Sequence, residues 1–211
     1  MKFCLLIFSV LFQAYMHEDM SVWKAHIDTV SDLSIEYGYC AAVMAEDKSA
    51  ATPYVHRFRE HVEAQRAALP VGHYEMYMSA VYVYELRLHE SFHPARSLSL
   101  ARKAVELAPD DPLTLTYCGT ALFYAPPPFG SKKEALELFL RAEKLFDKEE
   151  WYECWWRPAA LMYIAQCYDK QGNYAEAIRY AQALLKEYPE YRYIRDTFLP
   201  QVEAKASSQA Q

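Results

Sequence analysis

His89-Glu90-Ser91-Phe92-His93 has the form H-E-x-x-H. On a helix, the two histidines of this pattern lie one turn apart and can hold zinc, while the glutamate activates the metal-bound water. That is the chemistry of a zinc metallopeptidase. The setting here opposes it. Pro94 follows directly and biases His93 away from the helical region, and no third ligand is placed by the spacing. The segment is expected to be a turn, with no catalytic residue, metal or cofactor. No Gly-rich phosphate loop and no G-x-S-x-G occurs. His56, His61 and Cys40 have no partner at a telling spacing, and exposed helix positions account for the two histidines. Of Cys4, Cys40, Cys118, Cys154 and Cys167, no two form a C-x-x-C pair, which sets zinc-ribbon and thiol-redox chemistry aside. Cys118 and Cys167 fall at helix positions expected to be small and buried, so they read as core thiols.

The elements that must carry any site are helical. Hydrophobic residues make up 53% of the 211 and glycine only 5 of them, a composition that suits a packed chain with few tight turns. A net charge of −6 offers no general field for nucleic acid or anionic lipid, so neither is expected as a partner. Lys2 is followed by an uncharged run, Phe3 to Phe12. It is shorter than the roughly 20 residues that cross a bilayer, and of the length of a secretory leader's apolar core. Ala14 suits a cleavage site, whereas Phe12 does not. The expectation is a signal peptide over 1–15 and a secreted or periplasmic chain without stable membrane insertion. Cys4 lies too early for lipid attachment.

Pro158 to Pro189 carries the clearest pattern. Leu161, Ile164, Ala165 and Tyr168 form one helical stripe. Asp169 to Asn173 is a polar break that contains Gly172, and Ala177, Ala181 and Leu184 form a second stripe before Pro189. This unit resembles the tetratricopeptide repeat, an antiparallel helix pair. Two degenerate units precede it. One has Leu115, Cys118, Gly119 and Leu122, then Ala135, Phe139 and Ala142; the other has Ser97, Ala101, Ala104 and Pro109. The first helix of the latter, Met78 to Leu88, alternates like a strand, but the register of the later units makes it a helix. Val22 to Ala45 and Ala51 to Ala68 read as a capping hairpin. The expected layout is a hairpin over 16–73, three helix pairs over 74–200 and a frayed tail over 201–211. The resemblance implies an all-α fold, a right-handed superhelix of antiparallel helix pairs.

It also implies binding on the concave face of a scaffold, with a protein or peptide as partner. Counted at the repeat's own length, that face carries Tyr82, Leu86 and His89, then Thr116, Thr120 and Phe123, then Met162, Gln166 and Asp169. These are aromatic, apolar or neutral rather than the basic and amide clamp that grips a peptide carboxylate, so an extended or apolar ligand is expected. Two features lie outside the register. Trp151 to Arg157 is densely aromatic and is either a buried bridge or a ligand platform. Ala125 to Gly130 is a proline-stiffened insertion that could put Phe129 at the groove's rim. The insertion and the first-helix aromatics are also similar to the periplasmic T component of tripartite transporters, which leaves a small-ligand carrier as an alternative.

Overall fold

The computed structural model describes residues 2–29, 32–90, 94–146 and 155–209. Among these the chain is all-helical. Its α-helices are α1 (Lys2–His17), α2 (Met20–His26), α3 (Leu33–Glu46), α4 (Thr52–Gln65), α5 (His73–Leu88), α6 (Pro94–Leu107), α7 (Pro112–Tyr124), α8 (Lys132–Leu145), α9 (Trp156–Lys170), α10 (Tyr174–Glu187) and α11 (Leu199–Gln209).

Local chemistry sets the helix starts. Asp32, Asp111, Ser131 and Asn173 each accept a backbone N–H of the first turn they precede. Pro112 opens α7, where its missing N–H costs nothing. Gly172, at φ 75°, makes the left-handed turn between α9 and α10. The Asp32 cap corrects the expectation of one helix from Val22 to Ala45. A 3₁₀ turn at Ile27–Thr29 ends α2, and Asp32, accepting from Ser34 N and Ile35 N, nucleates α3 afresh.

From α3 onward the helices stack as sequential antiparallel pairs. Within each pair the two helices pack together. The second helix of each pair also touches the first helix of the next, at α4–α5, α6–α7 and α8–α9. First helices touch one another at α3–α5, α5–α7 and α7–α9. Small residues permit the close approaches. Ala165, Ala177 and Ala181 are fully buried between α9 and α10, and a Cβ on Gly119 would lie 2.8 Å from the Phe139 ring. The strand-like run in α5 is helical because both its sides are covered by neighbouring helices, which outweighs its β propensity.

The ends of the chain close onto the array. Leu11, Phe12, Ala14 and Met16 of α1 are buried, with Phe12 edge-on to Tyr188 at 5.9 Å. The segment after Pro200 is helical rather than frayed. Val202 is fully buried and Lys205 Nζ donates to Asp169 at 2.6 Å, so tertiary contacts hold a sequence that reads as polar.

Candidate functional site

The inner face of each pair follows from where its two helices come closest. In the first unit that point is Ser79. Its Oγ donates to the Ser97 carbonyl at 2.7 Å, and Ser97 Oγ donates to the Ser79 carbonyl at 3.1 Å. Ser79 is therefore the counterpart of Gly119 and Ala165. Thr116 and Thr120 flank Gly119, and Met162 and Gln166 flank Ala165, so the matching residues on α5 are Met76 and Ala80. This corrects the placement of Tyr82, Leu86 and His89. Ser79 to Ser97 spans 18 positions where Ala165 to Ala177 spans 12, so the extra residues lie within this unit, chiefly in a longer end to α5, which runs to Leu88. Counting back at a uniform repeat length skips over them.

A cavity of about 790 Å³ lies along the inner face. Its walls are α3 (Tyr37, Gly38, Ala41, Ala42), α7 (Thr116, Thr120, Tyr124) and α9 with the residue before it (Trp155, Met162, Tyr163, Gln166). Tyr15 of α1, Glu18 just after it, Trp23 of α2, and Tyr191 and Tyr193 beyond α10 also line it. The small residues of α3 leave room for it. A Cβ on Gly38 would meet the Trp23 ring at 3.0 Å, so glycine lets that indole lie against α3.

The tyrosines are tied to one another. Tyr191 donates its one hydroxyl proton to Met162 Sδ at 3.2 Å. Tyr15 is then the donor in its 2.7 Å contact with Tyr191. Gln166 Nε2 donates to the Tyr193 hydroxyl at 3.1 Å, and Tyr163 donates to Tyr124 at 3.4 Å. Burial pushes the Tyr15 phenol up to about 12 and raises Tyr37, Tyr163 and Tyr191 as well. All four are neutral hydrogen-bonding groups at neutral pH. Trp155 and Trp156 stack at 4.2 Å, and Tyr37 stacks on both. Among the described residues, the two buried indole N–H groups have no acceptor.

Of the residues singled out in the sequence, Thr116, Thr120, Met162 and Gln166 line the cavity. The other residues singled out there lie elsewhere. Tyr82 is clasped by the guanidiniums of Arg59 and Arg96, at 5.4 and 4.6 Å from its ring. Leu86 is half-buried outside the cavity, and His89 is an exposed helix end at φ 63°. Phe123 is buried behind the wall against Tyr124 and Tyr163, one residue out of phase with the lining Tyr124. Phe129 is exposed on its loop without reaching the rim. Asp169 is covered by Lys205.

His89 does not lie within a helix, because α5 ends at Leu88 and His89 is left-handed at φ 63°. Glu90 instead meets His56 at 2.8 Å, and Ser91 to His93 fall outside the described residues. Nor is His61 a simple surface residue. Its Nδ1 lies 2.7 Å from the carboxylate of Glu36, a buried group whose pKa burial raises. Cys40, Cys118 and Cys167 are free buried thiols, each pushed up to about 12 by burial, and are unreactive there. Trp151 to Cys154 lie outside the described residues. Trp155 and Trp156 both serve the cavity wall and bury their rings, while Arg157 is wholly structural. The cavity tyrosines gave no spacing signal. Only the high tyrosine content, 18 residues, hinted at half-buried rings with polar tips.

Stacked antiparallel helix pairs bordering an inner-face cavity define a helical-repeat scaffold. A family model for the tetratricopeptide repeat matches residues 159–191, the α9–α10 pair, so the chain contains a tetratricopeptide repeat. Such a repeat implies, in general, a scaffold for protein–protein interaction rather than a catalyst. No curated protein matches the chain. No described helix is long and apolar enough to cross a membrane.

Proposed function

We propose that the protein binds a segment of a partner protein or peptide in the cavity between α3, α7 and α9, without chemical change to it. The observation that carries this reading is the cavity itself. It lies on the face where repeats of this type engage partners, and first-helix side chains build its walls. Rings bound to one another by their hydroxyls make those walls stiff, which keeps the ordering cost of binding low. A volume near 790 Å³ also falls in the range of small-ligand pockets, and this favours an apolar small-molecule carrier as the second reading.

Thr120→Phe tests the site. Thr120 is half-buried, and its hydroxyl donates only to the Thr116 carbonyl within α7, so a phenyl ring there fills the cavity without breaking a tertiary contact. A random peptide library selected on immobilised protein should yield binders that lose at least about tenfold in affinity on this substitution, or 1.4 kcal/mol. The melting temperature should move by only a few degrees. Binders indifferent to Thr120→Phe would overturn the cavity as the site.

A further inference from the structure

We infer that the cavity selects an organic cation, an ammonium or guanidinium group carried on an apolar body. The inference rests on the cavity being the binding site, as proposed above. Among the described residues its charged lining is Glu18 and Glu46, both carboxylates, with no lysine, arginine or histidine. Glu46 is partly neutralised by Lys24 at 2.8 Å, with both side chains about half exposed. Glu18 stands just beyond α1 at φ 55°, a left-handed turn that brings its backbone N–H back to the Tyr15 carbonyl at 3.2 Å. Among the described residues it has no ion-pair partner.

The remaining walls fit the same charge. Tyr15, Trp23, Tyr124, Tyr163, Tyr191 and Tyr193 present aromatic rings, whose negative faces attract cations. The hydroxyl oxygens of the tyrosines can accept hydrogen bonds from an ammonium or guanidinium. An anion would meet the two carboxylates and these rings, and the cation described beside them, Lys24, is already paired with Glu46. Alanines on α3 take the apolar part of the ligand, since Ala41 and Ala42 are half-exposed to the cavity. One chemistry could come from two sources, a basic side chain in an apolar peptide or a free alkylammonium.

Two matched probe series, titrated into the full chain and followed by calorimetry, separate these sources and test the charge preference. One series is decyltrimethylammonium, decyl sulfate and decyl maltoside, each kept below its micelle concentration. The other is a capped leucine tetrapeptide with one residue exchanged for arginine, glutamate or glutamine. In at least one series the cationic member should bind ten times or more tightly than the anionic one. The series in which it does so names the source. Glu18→Gln should weaken cation binding about three- to tenfold and leave the neutral probe unchanged, and Thr120→Phe should remove binding of every probe.

Equal binding of all charges, lost on Thr120→Phe, overturns the cation preference and leaves the cavity reading standing. Cation binding that survives Thr120→Phe, or is unmoved by Glu18→Gln, places any cation site elsewhere and overturns the inference. Binding of no probe in either series overturns the inference and the cavity reading together.

Discussion

Phe139→Ala is expected to cost about 3–5 kcal/mol, the range for removing a fully buried phenyl ring. Phe139 is 0% exposed and joins two layers of the array. One side of its ring covers Gly119 of α7, and it stacks on Tyr163 of α9 at 5.2 Å with the planes 9° apart. In an array where each pair buries its apolar face against the next, this one ring couples α7 and α8 to the α9–α10 pair. Gly119 cannot fill the space, because it has no side chain. Urea denaturation should show a lower midpoint, and melting should fall by roughly 10 °C or more, at about 2–4 °C per kcal/mol for a chain of this size. The ring also backs Tyr163, a wall of the cavity, so cavity ligands should weaken too. A loss below about 1 kcal/mol, the scale of an ordinary substitution, would show that the interface collapses around the gap and that Phe139 does not couple the layers.

Arg157→Met should cost about 3 kcal/mol, the lower end for breaking a buried ion pair, because Glu187 keeps some contact with water. The Arg157 side chain is 6% exposed and Glu187 24%. Nη1 donates to Glu187 Oε1 and to the Tyr188 hydroxyl, each at 2.5 Å, and Nη2 donates to Glu187 Oε2 at 3.0 Å. Burial alone would lower the guanidinium's pKa, but the bonds from Glu187 and Tyr188 outweigh it and raise it, so the group is fully charged. The bonds tie the start of α9 to the end of α10. Methionine keeps much of the apolar stem but leaves the Glu187 carboxylate and the buried Tyr188 hydroxyl without the guanidinium. The double variant Arg157→Met, Glu187→Met should recover part of the loss, since the cost lies in stranding one charge rather than in losing the pair. Denaturation of both variants checks this. A double variant less stable than Arg157→Met alone would show that the pair contributes more than the desolvation it requires.

The register errors have a common origin. Thr116, Thr120, Met162 and Gln166 were legible because the residues beside them, Gly119 and Ala165, are visibly small and fix where the helices touch. In α5 the same role falls to Ser79, which has no distinguishing sequence signal. It becomes identifiable only through its paired bonds to Ser97. The C-terminal helix was misread for a related reason. Leu199–Gln209 has a polar sequence, and its order depends on Val202 and Lys205 meeting partners far along the chain.

By itself, then, the sequence determined the all-helical class, most of the helices with the turns between them, and the repeat at the C-terminal end. Those features rest on local chemistry: a 3.6-residue period, side chains that cap the next turn, proline and glycine at helix ends, and a proline after His93. Tertiary structure alone decided that the inner face holds a half-open, tyrosine-lined cavity. Tyr15, Tyr37 and Tyr191 come from three distant segments, and their hydroxyl and ring contacts exist only once the ends of the chain fold back over α7 and α9. Periodicity reports which side of a helix is apolar. Which other helix covers that side, and whether it leaves a space, depends on the packing of segments that no local pattern connects.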